Sequence, residues 1–369
     1  MHAHRVEHAT QLSPWRRSLK RSAASAPALL LLALGASAVY AQSGVDRVRR
    51  QSGVESGKIL ATTPLGLTIS KGGVDSTITA EDIVSVTYSS EPSELNAARN
   101  AIQAGRPQDA LEQLAKIPPD PARREEMAAD VDFYAVLAKG QLALAGQGAP
   151  DAAATEVRTF IAKRPKSFHV AESIVLMGDL LAAAGQHAAA RTEYARLAKA
   201  KSAYFELKSA LLVGRTWQAE GDHAKALAEF DKVVASTDAS ALVAPLRLAA
   251  TLERAVSQAA TGQAAESTAA IGEIIAKADP EDSKLLARAY TALGDAYVQS
   301  GDKRGALFAF LHVDLLYNKE ADTHAKALHE LVGLWKSAGQ ANRSQDAAGE
   351  LAAKYPNSRW AKLPVAGGL

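Results

Sequence analysis

The sequence predicts a mainly α fold, a right-handed solenoid of helical hairpins preceded by a small all-β, barrel-like module. Three observations predict it. Glycines that mark turns recur at near-constant spacing after Gly105. From Glu94 onward the chain is dominated by Ala, Leu, Glu, Lys and Gln, which are good helix formers. Between about residues 54 and 90 it is instead rich in Val, Ile, Thr and Gly with period-two alternation. At 369 residues, with 47% hydrophobic and 22% charged residues, the chain is long enough for two domains or one solenoid. The expected boundaries are 1–41 for a cleavable signal peptide, 42–90 for the β-module and 91–369 for the helical repeats.

The first segment reads as a targeting signal. Arg16, Arg17, Lys20 and Arg21 form a basic region, an apolar run follows from Ala28 to Val39, and Val39-Tyr40-Ala41 places suitable residues for cleavage after Ala41. The apolar run is shorter than the ~20 residues a bilayer span requires. An uncleaved N-terminal anchor is the alternative. Residues 1–41 hold five basic residues and one acid, so the remainder keeps 37 basic against 39 acidic residues, a net of −2, where the whole sequence carries +2. A near-neutral protein has no long-range field to gather polyanions, which argues against nucleic acid as a partner. The sequence has no cysteine, which excludes disulfides, a thiol nucleophile, thiolate metal ligands and a lipoprotein anchor. The expected location is periplasmic or secreted, with no integral membrane span once the signal is removed.

In the β-region, Gly57 to Thr63 reads as a strand and Pro64-Leu65-Gly66 as a turn. Leu67-Thr68-Ile69-Ser70 alternates, and Lys71-Gly72-Gly73 is a tight reversal. Ser76 to Thr79 is a third strand, Ala80-Glu81-Asp82 a short helical turn, and Ile83 to Tyr88 a fourth strand. About 37 residues is marginal for an independent core, so this module is expected to dock on the helices that follow. Its strand spacing and the turn before Ile83 resemble small Sm-like or bacterial Src-homology-like β-modules. Glu91-Pro92 marks the switch to helix, with Ser93 as the expected N-cap and Asp120-Pro121 as a further helix start.

The helical region repeats. Turn glycines fall at Gly105, Gly146 and Gly148, Gly185, Gly221, Gly262, Gly301 and Gly339, with steps of 36, 41, 39 and 38 residues from Gly185 on. One unit runs through Gly214, Trp217, Gly221, Ala226 and Phe230. A second runs through Gly294, Tyr297, Gly301, Ala306 and Phe310. The same slots recur at Gly178, Leu181, Gly185, Ala190 and Tyr194, whereas the unit around Gly262 is degenerate and those near Gly105 and Gly146 are partial. These units resemble the tetratricopeptide repeat, and the whole resembles an exported bacterial tetratricopeptide protein. The resemblance implies that Gly178, Gly214 and Gly294 let paired helices approach, that Trp217 and Tyr297 fill the space between them, and that Phe230 and Phe310 plug the layer to the next repeat. It further implies that first helices line a concave face, whose inward positions are Glu172, Val175, Asp179, Lys208, Leu211, Arg215, Arg288, Thr291, Asp295 and Val298. Chaperone-binding members clamp a C-terminal carboxylate there with Lys, Arg and Asn. Asp179 and Asp295 depart from that set, so that ligand does not carry over.

Chemistry is sparse. His169, His187 and His223 sit near helix starts, and His324 and His329 are five apart rather than the four that share a helical face, so they read as surface or capping histidines and no metal site is expected. Gly53-Val54-Glu55-Ser56-Gly57 lacks the central serine of a nucleophile elbow. Gly146-Gln147-Gly148 lacks the context of a dinucleotide site. Glu125, Glu126, Asp179 and Asp295 read as solvated helix carboxylates. The sequence therefore points to no catalytic residues and no cofactor. It points to a non-enzymatic scaffold or adaptor of the bacterial cell envelope that binds other proteins on the superhelix, with its oligomeric state open. Two alternatives are an accessory subunit of an outer-membrane assembly or secretion complex, and a glycan-binding protein that uses the β-module.

Overall fold

A strand that the hydrophobic pattern does not announce opens the structure. In β1 (Asp46–Arg50) the inward positions are Asp46 and Val48, a carboxylate and a valine, so apolar alternation cannot reveal it. It pairs with β2 (Gly53–Thr63) and with β5 (Ile83–Thr87), between which lie β3 (Gly66–Lys71), β4 (Val74–Thr79) and a 3-10 turn at Ala80–Asp82. The computed structural model describes residues 44–364 apart from 121 and 201, so the expected signal at 1–41 lies outside the described residues. The sheet is antiparallel throughout, in the order β4-β3-β2-β1-β5, five strands where the sequence predicts four. Its curl comes from β2. Residues 53–57 of that strand pair with β1 and residues 58–63 with β3, across a register shift between Ile59 and Ala61. At that bend Gly57 lies where a Cβ would meet the Ser70 carbonyl. The β3–β4 reversal carries positive φ at both Gly72 (60°) and Gly73 (84°), the geometry that matches strand twist.

Seven helical hairpins follow. They are α1 (Ser93–Gln103) with α2 (Pro107–Leu114), α3 (Glu125–Leu144) with α4 (Pro150–Lys163), and α5 (Val170–Ala183) with α6 (His187–Tyr194). Next come α7 (Ala203–Ala219) with α8 (His223–Val234), α9 (Ala244–Ala260) with α10 (Ala264–Lys277), and α11 (Ser283–Ser300) with α12 (Lys303–Leu316). The last is α13 (Ala321–Ser337) with α14 (Ala341–Lys354), ahead of a terminal turn, α15 (Arg359–Lys362). Each turn glycine named above, Gly148 apart, has φ between 69° and 95°, a region that costs an L-side chain about 1–2 kcal/mol. Asp222, Asp282 and Asp302 cap α8, α11 and α12 by accepting from the backbone N–H groups of Lys225, Leu285 and Gly305.

Two expected helix starts differ. Ser93 is the first residue of α1 rather than its cap, and its hydroxyl turns to Glu94. The Asp120-Pro121 start is not used: the Asp120 carboxylate accepts from the Ala122 N–H, and α3 begins at Glu125 after Arg124 has been drawn to Asp46.

Packing follows the repeat logic. A Cβ on Gly214 would lie 2.5 Å from the Phe230 ring and one on Gly294 2.6 Å from the Phe310 ring; Gly178 stands against Tyr194 in the same way. Phe230 and Phe310 are fully buried. The degenerate hairpin α9–α10 fills the same slots with Ala255 and Ile271, and α1–α2 with Ala98 and Leu114, all buried. A slightly larger first partner is matched by a smaller second one, which keeps the layer volume. Tyr297 lies over the first turn of α12 at Gly305. Trp217 is only half-buried, between the Arg191 guanidinium (3.5 Å from the ring centroid) and the Lys225 ammonium (4.3 Å). Its ring thus lies between Arg191 of the preceding hairpin and Lys225 of its own, and packs against the core shared by α7 and α8.

The sheet docks as its size demands. Val48, Ile59, Leu67, Ile69, Ile78 and Val86 share one apolar core with Leu95, Ala98, Phe133, Tyr134 and on to Phe205. Beside this core lies a polar junction. The buried Asp46 carboxylate accepts from the Ile59 N–H (2.9 Å), the Ser89 N–H (2.8 Å) and Arg124 of the loop before α3 (2.8 and 3.0 Å). Burial works to raise its pKa, but together these donors hold it below the ordinary carboxylate value. At the far side of the module, Ser202 ahead of α7 donates to Glu81 at 2.9 Å, so the module reaches from the first hairpin to the fourth.

Candidate partner-binding face

First helices of successive hairpins lie side by side, α3 on α5, α7 on α9, α9 on α11 and α11 on α13. Their shared face carries charged side chains that the packing slots do not use. On α5, Asp179 accepts a hydrogen bond from the Tyr194 hydroxyl at 2.6 Å. Burial raises its pKa above the usual carboxylate value, despite that bond and the nearby cations Lys208, Arg215 and Arg359. On α7, Lys208 is half-buried and its pKa is lowered, by burial first and then by Arg215 and Arg288. A charge pushed in this direction gains from an incoming anion. Arg215 is exposed and pairs with Glu253 of α9 at 2.8 Å. Asp295 of α11 pairs with Lys326 of α13 at 2.5 Å, and that carboxylate keeps the lysine charged although burial works against it. Glu330, one turn further along α13, has its pKa raised by burial.

The structure thus brings Asp179, Lys208 and Arg215 into one electrostatic neighbourhood, with Arg288 acting on it from two hairpins away. Glu172 is exposed beside His169, and Val298 is exposed at the end of α11. Val175 is half-buried against the core, and Thr291 turns its hydroxyl back to the Ala287 carbonyl. Leu211 is 2% exposed and packs with Phe230 and Leu246, so it belongs to the layer between hairpins and not to the face. Glu253, Lys326 and Glu330 are face residues that the sequence reading missed. Glu253 lies on the degenerate hairpin, and α13 belongs to the loosest unit, so the repeat pattern offered no register for them.

Three histidines expected at the surface or in caps are buried, His169 as the N-cap residue of α5. His169 is stacked on Phe133 (3.7 Å, 8°), and its Nε2 faces Asp130 at 3.2 Å. Burial disfavours its charge, yet Asp130 and Glu172 raise its pKa overall. Asp130 also accepts from the Tyr88 hydroxyl (2.8 Å) and faces Arg99 (3.5 Å), whose guanidinium forks onto Glu91 at 2.7 Å through both terminal nitrogens. This cluster ties the segment that follows β5 to α1, α3 and the start of α5. His324 places one ring nitrogen 2.8 Å from Asp314 and the other 2.8 Å from the Tyr355 hydroxyl. Asp314, His324 and Glu350 bring potential metal-ligand atoms within 4.8 Å of one another, from three different helices. Both nitrogens of His324 are already occupied by hydrogen bonds, which accounts for the cluster without an ion. His329 is buried against Trp360, and burial lowers its pKa.

No family model matches the chain, and no curated protein matches it. Solved structures do. One is a tetratricopeptide repeat protein from Parabacteroides merdae, 15% identical over 73% of this chain and 96% of that one, with a TM-score of 0.48. A Rap protein complexed with competence and sporulation factor is 10% identical over 73% and 76% of the two chains, TM-score 0.49. PilW, a type IV pilus biogenesis factor, is 15% identical over 64% and 97%, TM-score 0.40.

Proposed function

We propose that this protein is a non-enzymatic adaptor of the bacterial cell envelope that holds a segment of another protein along the face of its first helices. One observation carries the reading. Charged side chains of α5, α7, α9, α11 and α13 share that face, and among them Lys208 has its charge disfavoured by burial and by neighbouring cations. A solenoid needs small and large side chains in its layers to stack. It does not need a partly buried lysine such as Lys208 on the shared face of its first helices, and that group favours a ligand that supplies a counter-charge. The envelope location rests on the basic and apolar pattern of residues 16–41.

The test is capture of partners from envelope extracts by the full chain and by a variant with Lys208→Glu, Arg215→Glu and Arg288→Glu. The reading expects partners to be lost from the variant while its helical circular dichroism is kept. Retention of the same partners would move the binding surface elsewhere. Fractionation of cells expressing the tagged full chain tests the location, and recovery in the cytoplasm as an unprocessed protein would refute it.

A further inference from the structure

The last segment of the chain and the second hairpin are joined by a contact that neither the repeat pattern nor its packing requires. Lys362 in α15 donates from Nζ to the Gly146 carbonyl at 2.9 Å, across 216 positions of sequence. Gly146 lies in the α3–α4 turn, and a Cβ there would meet the Asn357 carbonyl as well as Lys362. On its other side the same short segment is held by α13. The Trp360 indole N–H donates to Asp322 at 2.8 Å, and the Arg359 guanidinium is 3.3 Å from the same carboxylate. Lys326 sits 5.4 Å from the Trp360 ring centroid and the His329 ring 5.9 Å from it. Asp322, Lys326 and His329 form one stripe of α13 at helical spacing. Lys326 in that stripe also grips Asp295 of α11. Arg359 is, in addition, one of the cations acting on Asp179 of α5. The terminal segment therefore lies against the face of the first helices and spans from the last hairpin to the second.

The chemistry of this seat is legible from its occupant. It offers a carboxylate at Asp322, a stripe that accepts an indole, and carbonyls at the C-terminal end of α3, where the helix dipole is negative. These features select a short basic segment carrying a tryptophan. The contacts are few and solvent-facing, since Arg359, Lys362 and Asp322 are all exposed, so the closure is weak relative to the hairpin layers.

We propose that the seam between the α3–α4 turn and α13 is a docking site for a basic, tryptophan-bearing segment, closed in the free chain by residues 358–362, and that an external segment of the same chemistry displaces them. The inference does not depend on which partner the rest of the face holds. Failure of the peptide experiment below would leave the partner-capture experiment untouched.

The probe is a fluorescent peptide with the sequence of residues 355–364. It is titrated into the full chain, into Lys362→Ala, and into Trp360→Ala/Lys362→Ala. Expected is binding at least tenfold tighter to the double variant than to the unaltered chain, with Lys362→Ala between them, and a tenfold loss when Asp322→Ala is added. A peptide lacking the indole should not bind. The cysteine-free chain also accepts spin labels at Ala149→Cys and Asn342→Cys. Their distance should be single and narrow in the unaltered chain and broaden in Lys362→Ala, an exposed change that leaves the layers intact. Equal or absent peptide binding across all forms, or one narrow distance in every form, would overturn the proposal.

Discussion

Phe310 and Trp217 occupy neighbouring columns of the same repeat grammar but do different work. Phe310 is fully enclosed against Gly294. Its truncation to Ala should cost about 3–5 kcal/mol, read as a lower urea midpoint at unchanged slope. Trp217 is held by two cations at a half-buried site, so Trp217→Ala should cost about 1–2 kcal/mol, in line with loss of one desolvated cation–π pair and partial burial. Equal losses would mean that Trp217 is a layer plug after all. His169 gives a pH prediction. It faces Asp130 of α3, Glu172 of its own helix and the Tyr134 ring, with Tyr88 and Arg99 meeting the same Asp130. Its pKa in the folded chain lies above the ordinary 6.5. Its charge therefore stabilises the fold fully below that value, and the contribution fades as pH rises through the folded pKa. The free energy of unfolding should fall as pH rises from about 6.5 through the raised folded pKa, and His169→Gln should flatten that slope. A slope unchanged by the substitution would assign the dependence to other groups.

At the scale of the element, the two kinds of glycine in the α7–α8 hairpin should respond oppositely to a compensating change. Gly221 is held at φ 78° with open space around it, so Gly221→Ala carries only the backbone penalty of about 1–2 kcal/mol. No second substitution should relieve it. Gly214 has no such φ but faces Phe230 at 2.5 Å from an added Cβ. Gly214→Ala should cost about 1–3 kcal/mol by overpacking, and Phe230→Leu should recover part of it, since α1–α2 and α9–α10 already use an Ala with Leu or Ile in these slots. A double-mutant cycle with no favourable coupling would contradict this exchange of volume. The same contrast explains how far the sequence could be read. Turn glycines and Gly–aromatic pairs are single-residue signals, so the hairpins they punctuate were visible. Ala255–Ile271 and Ala98–Leu114 are sums of ordinary residues and look like any helix. β1 was hidden because its inward Asp46 owes its place to Arg124, a residue far along the chain. The face charges on α13 were hidden because their partners, Asp295 and Trp360, come from other elements.

For the molecule as a whole, the distribution of the core decides how it comes apart. One apolar cluster runs without a break from Val48 in the sheet to Leu212 in α7, whereas α7 to α14 are served by three smaller clusters of their own. In a linear array each hairpin is stabilised mainly by its neighbours, so local stability tracks how much shared core each one has. The β-module is thus part of the folding unit of the first hairpins: it shares one core with Leu95, Ala98 and Tyr134, and its Asp46–Arg124 and Tyr88–Asp130 contacts tie it to α3 and the loop before it. Amide hydrogen exchange should show the strongest protection in α3, α5 and the sheet, with α9 to α14 opening earlier in a denaturant series. Removing residues 44–90 should lower protection in α1 to α5 to the level of the last hairpins or below, while leaving α11 to α14 unchanged. Uniform protection along the array, or undiminished protection of α1 to α5 without the module, would show that the sheet is an appendage and that the helices stand alone.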